Sequence, residues 1–492
     1  MQRKPGPELF FGLVGPLGTD LDGVYSSLSK SLERVGYSSE MVIISESFSE
    51  ISGLDNKINH DSELARIESS MDVGDEIRDK MGGNATAILA MNQIRAAREI
   101  KTDSIKVPFS DHAYVIRSLK HADEVKQLRN TYGKSFWLIS AYLPQKTRID
   151  ILKEKGVSDT KKLVDRDYAG KNLGQNVIDT FPAGDVFVDA SSPDVIQSQM
   201  DRFIDVLFGY PFHTPYREEY GMFHAFASSL RSASLSRQVG AAILDKAGNL
   251  ISTGTNEVPK AGGGVYAAED KNKNDHREFR KGYDSNQQEK LKMLEDVFER
   301  LKTEDWLSEK YAVKSPQDLV KDALGSKYLK GMHFMDLTEY GREVHAEMDA
   351  LVSAARGNES VKECTMYCTT FPCHICAKHI VSSGINSLVF IEPYPKSHAS
   401  KLFDDSISVG DVTDGNNKVY FKPYFGISPS RYIDLFTMLP RKDKNTGKIL
   451  DWNPLESKPR FWNSHHQIDE EIIEFQDFVN LMREKNLEFK NT

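Results

Sequence analysis

His345-Ala346-Glu347 and, 25 positions beyond the glutamate, Pro372-Cys373-His374-Ile375-Cys376 are the two stretches from which the rest of the chain can be read. Cys373 and Cys376 stand three apart. With Pro372 at a helix start, where its missing N–H costs nothing, both thiols share one face of the first turn. The positive end of that helix favours thiolates. Residues 377–383 continue helically and Gly384 suits the stop. His345 opens a second amphipathic stretch that Gly357 ends. One imidazole and two thiols make a zinc ligand set, and three protein ligands leave a fourth position open, as catalytic sites do. Glu347 then stands beside that position as a proton carrier.

A closed site of four thiolates is the competing reading. All four cysteines, Cys364, Cys368, Cys373 and Cys376, lie within 13 residues. That clustering favours a metal or catalytic role over a disulfide scaffold and suggests a reducing cytoplasm. However, Cys364 and Cys368 fall on one face of an expected strand, as small buried hydrophobes. The closed site also leaves His345 and Glu347 without a role. His374 and His379 are read as packing or surface residues.

Further out, a helix over 222–234, a strand over 239–244, a turn at 246–249 and a strand over 250–255 read as a helix followed by a hairpin. Residues 259–341 lose the strand pattern, carry Gly262-Gly263-Gly264 and read as a long insertion with a helix over 287–301. A strand over 388–391 precedes Glu392-Pro393-Tyr394-Pro395-Lys396. Ligand-facing loops of α/β sheets follow strands in this way, so Tyr394 and Lys396 are candidate phosphate contacts; an ordinary proline-rich turn is the alternative. Residues 426–492 read as a polar, partly helical extension of this domain.

Residues 1–209 alternate strands (9–15, 41–45, 114–119, 136–143, 186–188) with helices (20–35, 85–99, 123–132, 196–208), the pattern of a parallel α/β sheet. Residues 209–219 read as the junction. The first strand runs into Gly12-Leu13-Val14-Gly15-Pro16-Leu17-Gly18-Thr19-Asp20. Gly12, Gly15, Gly18 and Thr19 make this a candidate phosphate-cradling loop. A working Walker loop needs four residues between its glycines, then lysine and a hydroxyl. Here five residues separate Gly12 from Gly18, Asp20 follows Thr19, and the next lysine is Lys30.

The 492 residues suit about three domains, or two with large insertions. At 39% hydrophobic and 27% charged, the composition is globular, and no apolar run approaches the roughly 18 residues of a membrane span. Residues 9–17 read as a buried strand and loop, not a targeting segment. A net charge of −9 provides no general basic coat for nucleic acid. Lys271, Lys273, Arg277, Arg280 and Lys281 form a local basic run, but Asp270, Asp275 and Glu278 interleave.

The pattern H-x-E…P-C-x-x-C is the signature of zinc nucleobase deaminases. Together with Ser236-Arg237-Gln238-Val239-Gly240-Ala241 and Gly254-Thr255-Asn256-Glu257-Val258-Pro259, it resembles the ordered motifs of deoxycytidylate deaminases over about residues 220–395, less the insertion. The resemblance implies a cytidine-deaminase-like α/β/α domain with a mixed sheet. It implies zinc on His345, Cys373 and Cys376, proton transfer by Glu347, and substrate contacts from Asn256 and Ala346. Thr255 departs from the aromatic residue usual before that asparagine, and the insertion departs from the compact pattern.

The whole chain is similar to two-domain bacterial anti-phage deoxycytidylate deaminases, through Gly12 to Gly18, Leu119 to Val125, Gly174 to Val177 and Asp185 to Asp189. That resemblance implies a P-loop, nucleoside-monophosphate-kinase-like domain over 1–209, regulatory rather than a kinase, before a deaminase domain over 210–492. It also implies depletion of dCTP or dCMP during infection, homo-oligomers, and inhibition by a small RNA. A polynucleotide deaminase acting on tRNA or single-stranded DNA shares the zinc motif but needs a basic channel and stacking aromatics. A non-enzymatic nucleotide sensor would have no need of Glu347.

Overall fold

The computed structural model describes residues 5–54, 57–168, 174–270, 275–325, 333–337, 339–394, 397–410, 418–462 and 466–490. The chain divides into two compact units, Met1–Glu219 with Pro423–Thr492, and Tyr220–Lys422. Among the described residues no helix is long and apolar enough to cross a membrane.

The first unit is built on β1 (Leu9–Val14), β2 (Ser38–Ile43), β3 (His112–Arg117), β4 (Phe136–Tyr142) and β5 (Val186–Asp189). The runs LFFGLV, HAYVIR and FWLISAY are buried almost throughout, as strands covered on both faces must be. All their pairings are parallel, with β1 between β3 and β4. Helices Leu21–Arg34 and Pro193–Leu207 bury Val24, Leu28 and Leu32 with Phe203 and Leu207 against this sheet. Asp20 caps the first of these by accepting from the Gly23 N–H.

Two of the differences from the sequence reading concern the division into domains. The helix expected over 222–234 runs Arg217–Ser229, because Glu219 turns back to accept from the Tyr216 N–H and pairs with buried Arg202. The segment 426–492, read as an extension of the second domain, packs in the first unit. There β12 (Gly426–Ile427) pairs antiparallel with β5, so the sheet carries one antiparallel edge. Helix His466–Glu484 brings Glu471 to Arg98, whose guanidinium is wholly buried and spans Glu8 (2.9 Å) and Glu471 (2.6 Å). A buried charge requires such partners, and this one lies 373 positions along the chain, where no local pattern announces it.

The second unit holds β6 (Gly240–Leu244), β7 (Leu250–Thr255), β8 (Thr365–Thr370), β9 (Ser387–Glu392), β10 (Ile407–Val409) and β11 (Val419–Pro423), in the order β10-β11-β9-β8-β6-β7. β6 is antiparallel to β7 and β8, while β8 and β9 are parallel, so the sheet is mixed, as read. A Cβ on Gly240 would overlap the Ala225 carbonyl, and one on Gly254 would overlap the backbone of Ala346 and Ala350. Gly254 pairs with Ala241, so Gly240 and Gly254 point to opposite faces. Helices Arg217–Ser229 and Ala346–Arg356 therefore sandwich the sheet at close approach. The described residues of the insertion form helices, the longest Ser285–Thr303, and no strand.

Replacing Glu471 with Ala is expected to cost about 2–3 kcal/mol, because part of the Arg98 guanidinium loses its partner inside the fold. A lowered midpoint in urea or thermal unfolding of the full chain checks this. Glu470→Ala, at an exposed neighbouring position, is the control.

Candidate active site

Strand β8 delivers the chain to Pro372, and Cys373 becomes the N-cap of helix His374–Ser382, its Sγ accepting from the Cys376 N–H at 3.4 Å. The proline thus stands one residue before the cap rather than inside the helix. His345 is the N-cap residue of helix Ala346–Arg356. The two helix starts converge. His345 Nδ1 lies 3.3 Å from Cys373 Sγ and 3.4 Å from Cys376 Sγ, and the three donor atoms all fall within 4.8 Å of one another. Among the described residues this is the His/Cys/Asp/Glu group that could hold a metal. Cys364 and Cys368 are buried in the core outside it, so the four-thiolate reading is not the arrangement found.

The donor chemistry fits zinc: one partly buried imidazole nitrogen and two buried sulfurs, with no fourth protein ligand among the described residues. The Cys376 thiol and the His345 imidazole hold Cys373 well below the usual thiol range, as a thiolate. Its contact in turn lifts His345 to about 9. Metal must displace that proton, so binding releases acid. Glu347 is buried, and burial raises its carboxyl above the ordinary carboxylate range, opposed by His345. A carboxyl raised in this way is better able to hold a proton and hand it on than an ordinary carboxylate.

A cavity of about 340 Å³ opens onto these groups, with Asn256, Ala346, Thr370 and Tyr394 among its lining. Asn256 accepts from the Val239 N–H (2.7 Å) and donates to the Arg237 carbonyl (2.8 Å). Its amide is therefore first a clamp on the 237–239 segment, with one donor hydrogen and one lone pair left for a ligand. Lys396 lies outside the described residues. Arg237 stacks over the Tyr394 ring at 5.6 Å and pairs with Glu392 at 3.6 Å. The insertion supplies wall residues that sequence reasoning missed: Asp284, Asn286, Lys290, Met335 and Leu337. Glu343, pushed up by burial, was missed as well. The periodicity of helix Ser285–Thr303 marks a buried face for Asn286 and Lys290 but not which cavity that face meets, and the other residues lie outside any long helix.

The expected phosphate loop in the first unit is only partly a loop. Gly12 lies within β1, where a Cβ would meet Leu119 and Phe136, so its role is core packing. Gly15 and Gly18 follow the strand. Gly18 has φ +91° and sits against the Arg148 backbone, where a side chain has no place. The Leu17 N–H donates to Asp167 at 2.6 Å, and Lys120 spans Asp167 (2.8 Å) and the Gly15 carbonyl (3.1 Å). A buried carboxylate of the chain itself thus takes the loop amide and the nearby lysine.

Residues 215–392 match the family described as the cytidine and deoxycytidylate deaminase zinc-binding region. The chain is similar to the deoxycytidylate deaminase of Enterobacteria phage T2, 49% identical over 55 residues, and to that of Homo sapiens, 39% identical over 54. Each match covers 11% of this chain and 29% of the relative. The solved dCMP deaminase of cyanophage S-TIM5 in complex with dCMP and dUMP aligns over 43% of this chain and 99% of its own, at 16% identity and a TM-score of 0.24. The matched family region is a zinc-binding one, and His345, Cys373 and Cys376 fall inside it.

Elemental analysis of the purified chain should find one zinc per chain. Cys376→Ala should lose it, because a histidine and one thiolate hold zinc weakly. Glu347→Ala should keep it, and loss of zinc from that variant would make Glu347 a ligand.

Proposed function

We propose that this chain is a zinc-dependent hydrolytic deaminase of deoxycytidine nucleotides, giving deoxyuridine nucleotides and ammonia. The observation that carries this is one cavity lined by His345, Cys373 and buried Glu347, with Cys376 Sγ 3.4 Å from the His345 ring, inside the matched region. When bound, zinc supplies Lewis-acid activation of water. The chain supplies the rest. Glu347 takes a proton from the water that adds to C4 of cytosine and delivers protons to ring N3 and to the departing amine. The raised carboxyl suits both tasks. Asn256 and Ala346 line the nucleoside side, and Arg237 and Lys290 are the cations that line this cavity.

Free nucleotides are favoured over polynucleotides. The wall supplied by Met335, Leu337 and Lys290 suits a ligand that ends within the cavity. In the local basic run, Arg277 and Arg280 both bind Asp275, at 2.9 and 3.2 Å, leaving a mixed-charge surface. Lys271 and Lys273 lie outside the described residues. Product analysis with dCMP, dCTP, CMP, CTP and a cytosine-containing oligonucleotide tests the reading. Turnover of dCMP, dCTP or both is expected, with little on the oligonucleotide. Deamination of the oligonucleotide alone would overturn the assignment in favour of a polynucleotide deaminase.

The proposal extends, on the resemblance of the whole chain, to a cytoplasmic homo-oligomer that depletes deoxycytidine nucleotides during phage infection. It includes a regulatory, kinase-like first domain that receives a small RNA inhibitor. Kinase chemistry is not part of it. The lysine nearest the glycine loop, Lys120, is neutralised by Asp167. No phosphoryl transfer from ATP to any nucleoside monophosphate is expected in a coupled assay of the intact chain. Measurable transfer would restore the kinase reading.

A further inference from the structure

Helix Ser285–Thr303 of the insertion does not dock as an ordinary surface helix does. Its buried residues are Lys290 and Leu294. Asn286, partly buried one turn earlier, shares their face at a spacing of four. An amide and an ammonium thus stand where an apolar stripe belongs. Local rules broken in this way mark functional places.

The polar pair has a task. The Asn286 side chain donates to the Leu337 carbonyl at 2.8 Å and accepts from the Tyr340 N–H at 3.3 Å. The Lys290 ammonium donates to the Met335 carbonyl at 3.0 Å. Here the chain has one short 3₁₀ turn, His333–Asp336, and no strand among the described residues, so its carbonyls need donors from elsewhere. Further along, Arg342 donates to the His276 carbonyl at 2.9 Å and pairs with Glu278 at 3.1 Å. Glu278 also accepts from the Ser285 N–H at 2.9 Å, at the start of the same helix. The Val344 N–H then donates to the Glu257 carbonyl at 3.0 Å. The chain is fastened at successive points before it reaches His345.

Asn286, Lys290, Met335 and Leu337 line the same cavity as His345 and Glu347. Its volume of about 340 Å³ lies at the low end of small-molecule sites, roughly 300–1,000 Å³. That suits one nucleotide and not a chain that continues. The helix therefore fixes an irregular segment as a wall, and it does so through backbone carbonyls, independently of which side chains the wall presents.

We infer that Asn286 and Lys290 determine specificity as positioning residues, an inference that rests on the deaminase reading. By fixing Met335 and Leu337 as one wall of the cavity, they confine it to a single deoxycytidine nucleotide and shut out a ligand extended through a phosphodiester. The fastening acts through the wall and not on the reacting atoms.

Steady-state kinetics of the full chain test this with dCMP, dCTP and two dinucleotides, one extending the deoxycytidine at its 5′ side and one at its 3′ side. The unaltered chain should prefer a mononucleotide to both. Asn286→Ala frees Leu337 and Tyr340 together. It should raise KM for the mononucleotide about fivefold while kcat stays within about twofold, the signature of lost binding and not of lost chemistry. Preference over at least one dinucleotide should fall about tenfold in kcat/KM. Met335→Ala combined with Leu337→Ala removes the wall itself and should relax the same preference, so the test stands even where Asn286→Ala does not fold. Gln288→Ala, at an exposed position of the same helix, is the control. Unchanged preference in the altered chains, or a fall in kcat alone, overturns the inference while mononucleotide turnover by the unaltered chain upholds the deaminase reading. Loss of zinc from Asn286→Ala would place its effect at His345 and overturn it too, as would ready turnover of both dinucleotides by the unaltered chain. No turnover of dCMP or dCTP by the unaltered chain fails the deaminase reading, and this inference with it.

Discussion

The contact between helix Ala346–Arg356 and β7 at Gly254 is the constraint on which the metal group depends. The helix backbone lies directly on the strand, and any side chain at Gly254 would enter the space of Ala346 and Ala350. Two hydrogen bonds lock the register: the Thr255 N–H donates to Asp349 at 3.0 Å, and the Ser252 hydroxyl donates to the Ala350 carbonyl at 2.9 Å. With translation and rotation both fixed, His345 at the helix start and Glu347 in its first turn have determined positions relative to Asn256 at the end of β7. The thiols arrive by a separate route, through β8 and the turn at Pro372. Two independent strand-to-helix transitions must therefore meet within ångströms, and each is held by backbone packing, not by the donor atoms themselves.

How much of this was legible in the sequence follows from the range of each interaction. Strand β7 falls on its expected residues, 250–255, because a period-two pattern bounded by a turn is a local signal. The spacing of Cys373 and Cys376 encodes their shared helical turn, and only the placing of the cap relative to Pro372 differed. Elements set by distant partners were not legible. β12 has two residues and exists because β5 has a free edge. The docking of the C-terminal helix turns on Arg98 meeting Glu471, and neither residue's neighbourhood reveals the other. The glycine loop was legible as a turn but not as an occupied one, since Asp167 lies 150 positions from Leu17.

Two buried carboxylates illustrate how environment divides one functional group between roles. Asp167 is surrounded by donors, the Leu17 amide and the Lys120 ammonium, so its charge is satisfied and it acts as a fixed internal anion. Glu347 is buried with a balance that favours the neutral form: desolvation is the largest influence, and His345 opposes it only in part. The first carboxylate stabilises a loop and closes it to phosphate. The second is left able to exchange a proton, which is what a hydrolytic site needs.

In a chain with net charge −9, which cations are left over depends on the pairs that the fold closes. Lys290 and Arg237 line the cavity of the second unit, while Arg277 and Arg280 outside it are spent on Asp275. In the first unit Arg78 and Lys120 are spent on Glu124 and Asp167, Arg66 on Glu63 and Arg117 on Asp22. Counting basic residues along the sequence thus misleads. The run around Arg277 looks like a binding surface and is neutralised, and Arg117, isolated in sequence, is met by an acid 95 positions away. The useful quantity is the cation left over after buried pairs are closed, and only the fold supplies it.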